Sequence, residues 1–369
     1  MKWEKIEFGE LYLIPSKNGL NRPSRVRGNG YKMINMGELF ANDRIKDIPM
    51  ELVPLNDREI ESSNILEQDL LFARQSIVAS GAGKCSIVLE VPEITTFESH
   101  LIRVRLNTDK ANPLFYYYYF KTPFANMKSL VQQGVQAGIR GSELKNLSVF
   151  YPPLPTQRKI ASILSAYDDL IENNLKRIKL LEEKAFLRYK LIVREEKMQV
   201  EEKLENLIQT VKRKAKIPKS DYKEKGEFPI IDQSTDFIGG YTNEKEVVYE
   251  DLPMIVFGDH TRILKYVNFP FACGADGTQL IKPNNPNISV AYLYFELINC
   301  NLSNYHYARH FKFLKEQVIK LPSEKVMMEY KEETDKIFNL IQLLRLQNTK
   351  LREARDILLP KLMNGQIEV

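Results

Sequence analysis

Two donor-rich stretches of the sequence each follow a short apolar run that is typical of a buried strand. The first follows Leu70–Phe72 and the second follows Met254–Phe257. Their polar side chains are Arg74, Gln75, Ser76 and Lys84 in the first stretch, and His260, Thr261, Arg262 and Lys265 in the second. Arginine can bind O6 and N7 of guanine and glutamine N6 and N7 of adenine, whereas Ser, Thr and Lys more often bind phosphates. Because loops carried on rigid strands are common recognition sites, both stretches are predicted to contact nucleic acid.

A second set of polar and cationic side chains precedes the two long helices that are predicted below. It consists of Arg140 in the first half of the chain and of Arg309, His310 and Lys312 in the second half. For each residue of both sets taken singly, an ordinary solvated position is the alternative. The prediction of a DNA-binding surface therefore depends on the pattern as a whole.

Two motifs that would indicate catalysis or a metal are incomplete. Gly83-Lys84 matches the end of a phosphate-binding loop, but Val78 stands where that motif requires its first glycine. His306 and His310 have the four-residue spacing of a zinc-binding helix, yet no carboxylate adjoins His306 and no cysteine pair lies nearby in the sequence. We therefore expect that this chain is not an enzyme and holds no metal.

The densest basic run of the sequence contains Lys212, Arg213, Lys214, Lys216 and Lys219. The highly charged stretch Glu201–Lys216 is predicted to be helical, and a solvated helix end is the commoner explanation of such a run. Contact with nucleic-acid phosphates stays open as the alternative.

Two tyrosine-rich clusters, residues 116–119 and 292–307, could stack on unpaired or flipped bases. Both begin in predicted helices that lie next to predicted strands. Helical spacing beside a sheet favours packing in the core, which is the prediction here.

The composition is that of a soluble protein of two or three domains. Of the 369 residues 43% are hydrophobic, and no run approaches the ~18 apolar residues of a membrane span. The 53 basic and 48 acidic side chains give a formal net charge of +5, which permits nucleic-acid binding without requiring it. The first residues lack the pattern of a secretory signal, so the chain is expected in the cytoplasm, with Cys85, Cys273 and Cys300 as free thiols.

Two long helical patterns must position the candidate loops. The first covers about Tyr151–Lys197, with Thr156 as its predicted N-cap, and the second covers Val326–Leu362. Apolar positions repeat three and four apart in both, interrupted by Asn174 and Asn348, which predicts an antiparallel coiled coil. Ten seam residues are predicted to form the interface with partners: Leu164, Tyr167, Ile171, Ile178, Leu181, Ile337, Ile341, Leu344, Leu351 and Leu358.

The two halves of the sequence repeat each other at a spacing of about 170–195 residues. Phe8–Leu11 is similar to Leu204–Leu207, and residues 112–120 are similar to residues 288–295. Each long helix also follows a leucine that stands eight residues before a proline. This degenerate duplication predicts two pseudo-equivalent mixed domains, each followed by a long helix.

The layout, with Pro152–Ala161 leading into the first helix, resembles a specificity subunit of a type I restriction-modification system. Residues 70–74 and 97–103, with Gly83-Lys84 between them, resemble one class of target recognition domain of that family. Residues 256–262, followed by residues 274–277, resemble another class. The resemblance covers nearly the whole chain.

The resemblance implies an α/β fold of the mixed α+β kind, with two pseudo-repeated target recognition domains and two spacer helices that form the antiparallel coiled coil. The domains would be residues 1–150 and 199–322, and the helices residues 151–198 and 323–369. It implies partners as well: double-stranded DNA carrying a bipartite asymmetric site, two modification methyltransferase subunits and a restriction motor-nuclease subunit, with no membrane. S-adenosylmethionine is expected on the modification subunits, so this chain is expected to need no cofactor.

Two functions of other classes stay open. A helical-hairpin scaffold without sequence-specific DNA binding is the first alternative, and a nuclease with its active site spread over both domains is the second. DNA binding that survives competitor DNA in only one sequence context would distinguish the specificity function from the scaffold. Metal-dependent cleavage by the isolated chain would favour the nuclease.

Overall fold

The computed structural model describes residues 3–77, 79–132, 137–195, 200–274, 277–300, 302 and 309–369. Val78, His306 and the tyrosines at positions 305 and 307 therefore lie outside the described residues, as do residues 196–197 and 275–276. The chain divides into two compact units, the first formed by Met1–Ile171 with Lys350–Val369 and the second by Glu172–Thr349.

The first unit contains strands and short helices up to residue 150. Its strands are β1 (Lys5–Glu7), β2 (Tyr12–Asn18), β3 (Tyr31–Ile34), β4 (Arg44–Ile45), β5 (Glu51–Val53), β6 (Leu70–Ala73), β7 (Gln75–Ser76), β8 (Cys85–Val88), β9 (Thr95–Phe97), β10 (Leu101–Leu106), β11 (Ala137–Gly138) and β12 (Ser148–Phe150). Its short helices are α1 (Met36–Ala41), α2 (Asp57–Ser63), α3 (Pro113–Phe120) and α4 (Gly141–Lys145).

The long helix α5 (Leu154–Glu195) precedes the elements of the second unit. These are the strands β13 (Val200–Lys203), β14 (Phe228–Ile231), β15 (Gly240–Thr242), β16 (Val248–Tyr249), β17 (Met254–Gly258), β18 (Leu264–Val267), β19 (Phe271–Cys273), β20 (Thr278–Ile281) and β21 (Val318–Leu321), and the helices α6 (Leu204–Leu207), α7 (Val290–Asn299) and α8 (His310–Lys315). The long helix α9 (Glu324–Met363) follows. Within the described part of the chain, no helix combines the length and the apolar character that a membrane crossing requires.

The two units share several strand pairings. In the first unit β6 lies between β10 and β8 and is antiparallel to both, and in the second unit β17 lies between β20 and β18 in the same way. A parallel pair accompanies each group, β3 with β9 and β14 with β19. Each unit also has a two-stranded pair, β1 with β12 and β13 with β21, of which the second strand precedes a long helix. The predicted duplication is thus confirmed at the level of these strand pairings.

The tyrosines of α3 are core residues, as predicted. Tyr116–Tyr119 are each at most 1% exposed and pack in one cluster with Phe72 of β6. Their hydroxyls find acceptors inside the unit: Tyr118 donates to Asp168 (2.6 Å) and Tyr119 donates to the Phe124 carbonyl (3.0 Å). Burial raises the pKa of Tyr119 to about 12. Rings placed in this way are unavailable for stacking on a base.

Two predictions about the ends of the first long helix are wrong. Helix α5 begins at Leu154, so Thr156 lies within its first turn and is not the N-cap. The stretch 201–216 is not one helix, because Val200–Lys203 pair with β21 and only α6 is helical after them. From Gln209 onward the backbone bonds to another part of the unit, beginning with the Gln209 N–H on the Lys282 carbonyl (2.9 Å). Charge density in the sequence did not reveal these pairings.

Helices α5 and α9 pack together through their seams. In the second unit Asn174 Nδ2 donates to Asn348 Oδ1 (2.9 Å), and Arg188 lies 3.5 Å from Glu333. Later residues of α5 thus contact earlier residues of α9, so the two helices are antiparallel in this unit. Of the ten predicted seam residues, the buried ones are Leu164, Ile171, Ile178, Ile337, Ile341 and Leu344, and the half-buried ones are Tyr167, Leu181, Leu351 and Leu358. This chain covers most of that seam itself, and contact of these residues with another subunit stays a prediction.

The three cysteines are free, and two of them are buried. Burial raises the pKa of Cys273 to about 12 and that of Cys300 to about 11, and it also raises the pKa of Cys85. Because the thiolate is the reactive form, these side chains stay protonated and weakly nucleophilic near neutral pH.

The seam amides generate a stability prediction. Asn174→Leu removes a donor from the buried Asn348 amide and should lower the free energy of unfolding by about 1–3 kcal/mol. Asn174→Leu/Asn348→Leu replaces both polar groups and should be more stable than Asn174→Leu alone. The measurement is the urea midpoint followed by circular dichroism, with the exposed neighbour Asn173→Leu as the matched control. Additive losses in the double variant would contradict the pairing.

Candidate nucleic-acid interface

The first donor loop begins where the buried strand β6 ends. All four residues of β6 are buried, and the chain then turns toward solvent at Arg74. The Arg74 backbone N–H donates to the His100 carbonyl (2.7 Å), and its Nη1 donates to the Ser99 carbonyl (3.2 Å). Arg74 is therefore half-buried and held at its base, with further guanidinium donors available to a ligand.

A short β-ribbon brings Arg140 to the same loop. Gln75 of β7 lies opposite Gly138 of β11, and the Ile139 N–H donates to the Arg74 carbonyl (2.9 Å). Arg140 follows directly and is exposed, while Gln75 and Ser76 are half-buried. The structure thus brings together four residues that the sequence suggested as two separate sets.

Lys84 has a different environment from the rest of its set. Its Nζ donates to the Phe40 carbonyl (2.8 Å), lies 3.0 Å from Asp43 and stands over the Phe40 ring. The ammonium group thus joins the β8 end to α1 within the unit. These internal contacts do not favour a role of Lys84 in binding a ligand.

A cleft of about 460 Å³ beside this loop contains residues that the sequence did not suggest. Its lining includes Phe40, Ile77 and His100 together with Gln75 and Ser76. Ile77 is 89% exposed, although an isoleucine near a strand end would ordinarily be assigned to the core. Exposed apolar atoms among hydrogen-bond donors suit contact with a thymine methyl group.

The second donor loop follows β17 in the equivalent place. His260, Thr261 and Arg262 are all exposed. The Thr261 hydroxyl donates to the Gln233 carbonyl (2.8 Å), so it is engaged within the unit. Arg262 has φ of +62°, and its Nη1 donates to the Leu302 carbonyl (3.3 Å). The loop is therefore anchored on both sides of an exposed arginine.

A buried carboxylate joins this loop to helix α8. Asp259 is 3% exposed, and its Oδ1 accepts the Phe311 N–H (2.7 Å). The His310 N–H donates to the Asp259 carbonyl (3.1 Å). Arg309 and Lys312 are exposed at this end of α8 and thus belong to the same surface as the loop.

Two residues of the predicted contact set are buried. Lys265 is 4% exposed, its Nζ lies 3.7 Å from Asp232 and donates to the Asp236 carbonyl, and burial lowers its pKa. His310 is 6% exposed. A buried side chain cannot reach a groove without rearrangement, so neither residue is carried into the set proposed below. The alternation of polar residues after a strand did not reveal which way Lys265 points.

The chain is similar to known specificity proteins over its whole length. Residues 1–183, just under half of the chain, match the family described as Type I restriction modification DNA specificity domain. The type I restriction enzyme MjaX specificity subunit of Methanocaldococcus jannaschii is 24% identical over 405 residues, which cover 100% of this chain and 94% of that protein. The type I restriction enzyme StySPI specificity subunit of Salmonella potsdam is 27% identical over 179 residues, which cover 47% of this chain and 38% of that protein.

The fold is also that of a solved specificity subunit. The crystal structure of the type I restriction-modification S subunit from M. genitalium matches with a TM-score of 0.64 and 16% identity, over 98% of this chain and 96% of that chain. The repeated strand pairings, the paired long helices and these similarities agree. Residues 1–183 belong to the family of type I restriction-modification DNA specificity domains, and the chain as a whole is similar to specificity subunits of these systems.

Proposed function

We propose that this chain reads a bipartite, asymmetric site in double-stranded DNA, with one half-site for each unit. One observation carries the proposal: in both units a donor-rich loop follows a fully buried strand that lies between two antiparallel neighbours. These loops are residues 74–77 after β6 and residues 260–262 after β17. Because the loops are equivalent in place but different in side chains, two different half-sites are expected.

Arg262 supports base readout by its backbone as well as its charge. A non-glycine residue with φ of +62° occupies the left-handed region, which costs about 1–2 kcal/mol. Such conformations persist where the surroundings enforce them, and they concentrate at functional sites. Two hydrogen bonds hold Arg262 in this conformation. Its N–H donates to the Gly258 carbonyl (2.7 Å), and its Nη1 donates to the Leu302 carbonyl. A guanidinium fixed before binding loses less entropy on contact with guanine.

The proposed contacts divide into base-reading and phosphate-binding groups. Arg74, Gln75 and Arg262 have the donor geometry for base edges, and Ile77 adds an apolar contact. Lysine and arginine at the margins more often bind phosphates. The proposed contact set is Arg74, Gln75, Ser76, Ile77, Arg140, His260, Arg262, Arg309 and Lys312.

We propose that modification subunits dock on the outward face of the long helices. Leu180, Leu187 and Leu191 of α5 are 63%, 51% and 42% exposed, and their spacing of seven and four places them in one stripe. Leu343 and Leu346 of α9 are 63% and 53% exposed. Large exposed apolar side chains in a row indicate a surface that another protein covers. The buried seam holds α5 and α9 together, and the outward leucines meet the partner.

The partners would supply the chemistry that this chain lacks. We propose two modification subunits that bind S-adenosylmethionine and methylate the site, and a restriction motor-nuclease subunit that joins them. The names of the relatives, type I restriction enzyme specificity subunits, support this assembly. The specificity subunit would need no cofactor of its own.

The helical-hairpin scaffold without sequence-specific DNA binding is the second candidate function. The exposed leucine stripe would suit it equally well. The equivalent donor loops favour DNA reading, because a scaffold has no use for an exposed arginine in a strained backbone conformation.

Alanine in place of either loop arginine should affect one half-site only. An arginine on a guanine edge contributes about 1–3 kcal/mol of discrimination, so Arg74→Ala and Arg262→Ala should each relax one base position. Methylation mapping of DNA from cells that carry the variant and its modification subunits measures this. Arg58→Ala, an exposed arginine of α2, is the control and should change nothing. Uniform weakening at both half-sites would identify phosphate contacts instead.

Aspartate in the outward stripe should release the modification subunit. Two leucines buried in an interface contribute about 2–4 kcal/mol or more, so Leu180→Asp/Leu187→Asp should weaken association by about 30-fold or more. Co-purification and titration of the two proteins measure the loss, and circular dichroism checks that the helices remain. Leu13→Asp, at an exposed leucine of β2, should associate normally. Unchanged association of the stripe variant would exclude this surface as the docking site.

A further inference from the structure

Four cations of the basic run, Lys212, Arg213, Lys214 and Lys216, lie in a segment that is neither helix nor strand, and Lys219 begins a 3-10 turn after it. A hydrogen bond fixes each end of the segment. The Gln209 N–H donates to the Lys282 carbonyl (2.9 Å), and the Ile217 N–H donates to the Cys273 carbonyl (3.0 Å). The cations between these points are therefore held along the strands of the second unit. A solvated helix end, the commoner explanation of such a run, does not apply because the segment is not helical.

Four cations line one pocket of about 250 Å³. Three come from the segment, Arg213, Lys214 and Lys216, and the fourth is Lys315 at the end of α8. Glu205 is the one carboxylate among the described lining residues. The pocket therefore combines a strong positive field with walls formed partly by Tyr249 and Phe311.

The cations are held by neutral groups. Lys216 Nζ donates to the Thr278 carbonyl (3.1 Å), and Lys214 Nζ donates to the Val248 carbonyl. Arg213 Nη2 donates to Gln279 Oε1 (3.0 Å). In the part of the chain that the structure describes, none of the four cations forms a salt bridge with a carboxylate. An ammonium has three donors, so Lys214 and Lys216 each retain donors for an anion.

The pocket is connected to the second reading loop through Gln279. The Gln279 Nε2 donates to Asp259 Oδ2 (3.4 Å), while its Oε1 accepts from Arg213. Phe311, which lines the pocket, donates its N–H to the other oxygen of Asp259. One side chain thus separates the cations from the carboxylate that supports residues 260–262.

From this arrangement we infer that the pocket binds a phosphodiester group of the DNA backbone beside the second reading loop. The inference rests on the proposed DNA-reading function. Phosphate contacts position a protein on the duplex without reading sequence, so their loss weakens binding to every duplex alike. The duplex is favoured over a free phosphate because the pocket adjoins the loop that is proposed to enter the groove.

The salt dependence of binding tests the inference. Each neutralised phosphate contributes about 0.9 to the slope of log K against log salt. Lys214→Gln/Lys216→Gln should lower that slope by about one. The ratio of wild-type affinity to variant affinity should therefore be about 3.5-fold smaller at 200 mM salt than at 50 mM salt. The full-length chain is titrated with a labelled duplex of the methylation-mapped site and with a scrambled duplex. Both duplexes should weaken by the same factor.

The chain offers a matched control for this experiment. Lys212→Gln/Lys219→Gln removes the same charge from the same run at exposed positions outside the pocket lining and should leave the slope nearly unchanged. Lys315 lies in a different element, α8, and Lys315→Gln should reduce the salt slope as the pocket variant does. This agreement would exclude a local folding defect as the cause. An equal slope change in the control would overturn the pocket in favour of general surface charge. A changed base preference in the pocket variant would overturn phosphate contact.

Replacing single phosphates of the duplex by neutral methylphosphonates locates the contact. Wild-type binding should fall at one or two backbone positions beside the second half-site, and the pocket variant should no longer respond at those positions. A variant that still responds there as the wild type does would refute the assignment. Equal binding of mapped and scrambled duplexes by the wild type would instead count against the proposed sequence reading, while the methylphosphonate comparison would still decide the phosphate site.

Discussion

The complete burial of the two central strands is the constraint on which the candidate interface depends. Every residue of β6 and of β17 is buried, and antiparallel neighbours occupy both edges of each strand. Neither strand can therefore present a donor to solvent along its length. The first residues that can do so stand at the strand ends, and they are Arg74 in one unit and His260 in the other. Equivalent packing in the two units thus produces equivalent loops whose side chains can differ.

The support beneath each loop differs between the units. The first loop is held by main-chain hydrogen bonds. The Ile139 N–H donates to the Arg74 carbonyl at the β7–β11 ribbon, and the Arg74 N–H donates to the His100 carbonyl. The second loop depends on Asp259, a buried carboxylate whose two oxygens bond to α8 and to Gln279. A buried carboxylate needs such partners because its desolvation is otherwise unfavourable. Position is thus fixed by backbone in one unit and by a side chain in the other.

The sequence sufficed for the elements that repeat a simple pattern. Three- and four-residue apolar spacing predicted α5 and α9 and placed Asn174 and Asn348 in their seams, and apolar runs located β6 and β17. It failed where long-range partners decide the outcome. The charged stretch after residue 200 pairs with β21 instead of continuing α5, and Lys265 turns inward to Asp232. Ile77 looks like a core residue in the sequence because its side chain is apolar. It is exposed in the structure because the β7–β11 ribbon holds its loop outward.

The modest net charge of +5 gives little information about DNA binding because many cations are used internally. Arg355 is paired with Asp168, Lys84 with Asp43 and Lys265 with Asp232. Such pairs contribute to stability but cancel at a distance, so they add little to the field that a duplex meets. The cations around the pocket of the second unit are instead held by carbonyls and an amide. Neutral acceptors fix a cation without cancelling it, and the local field therefore exceeds what the composition indicates.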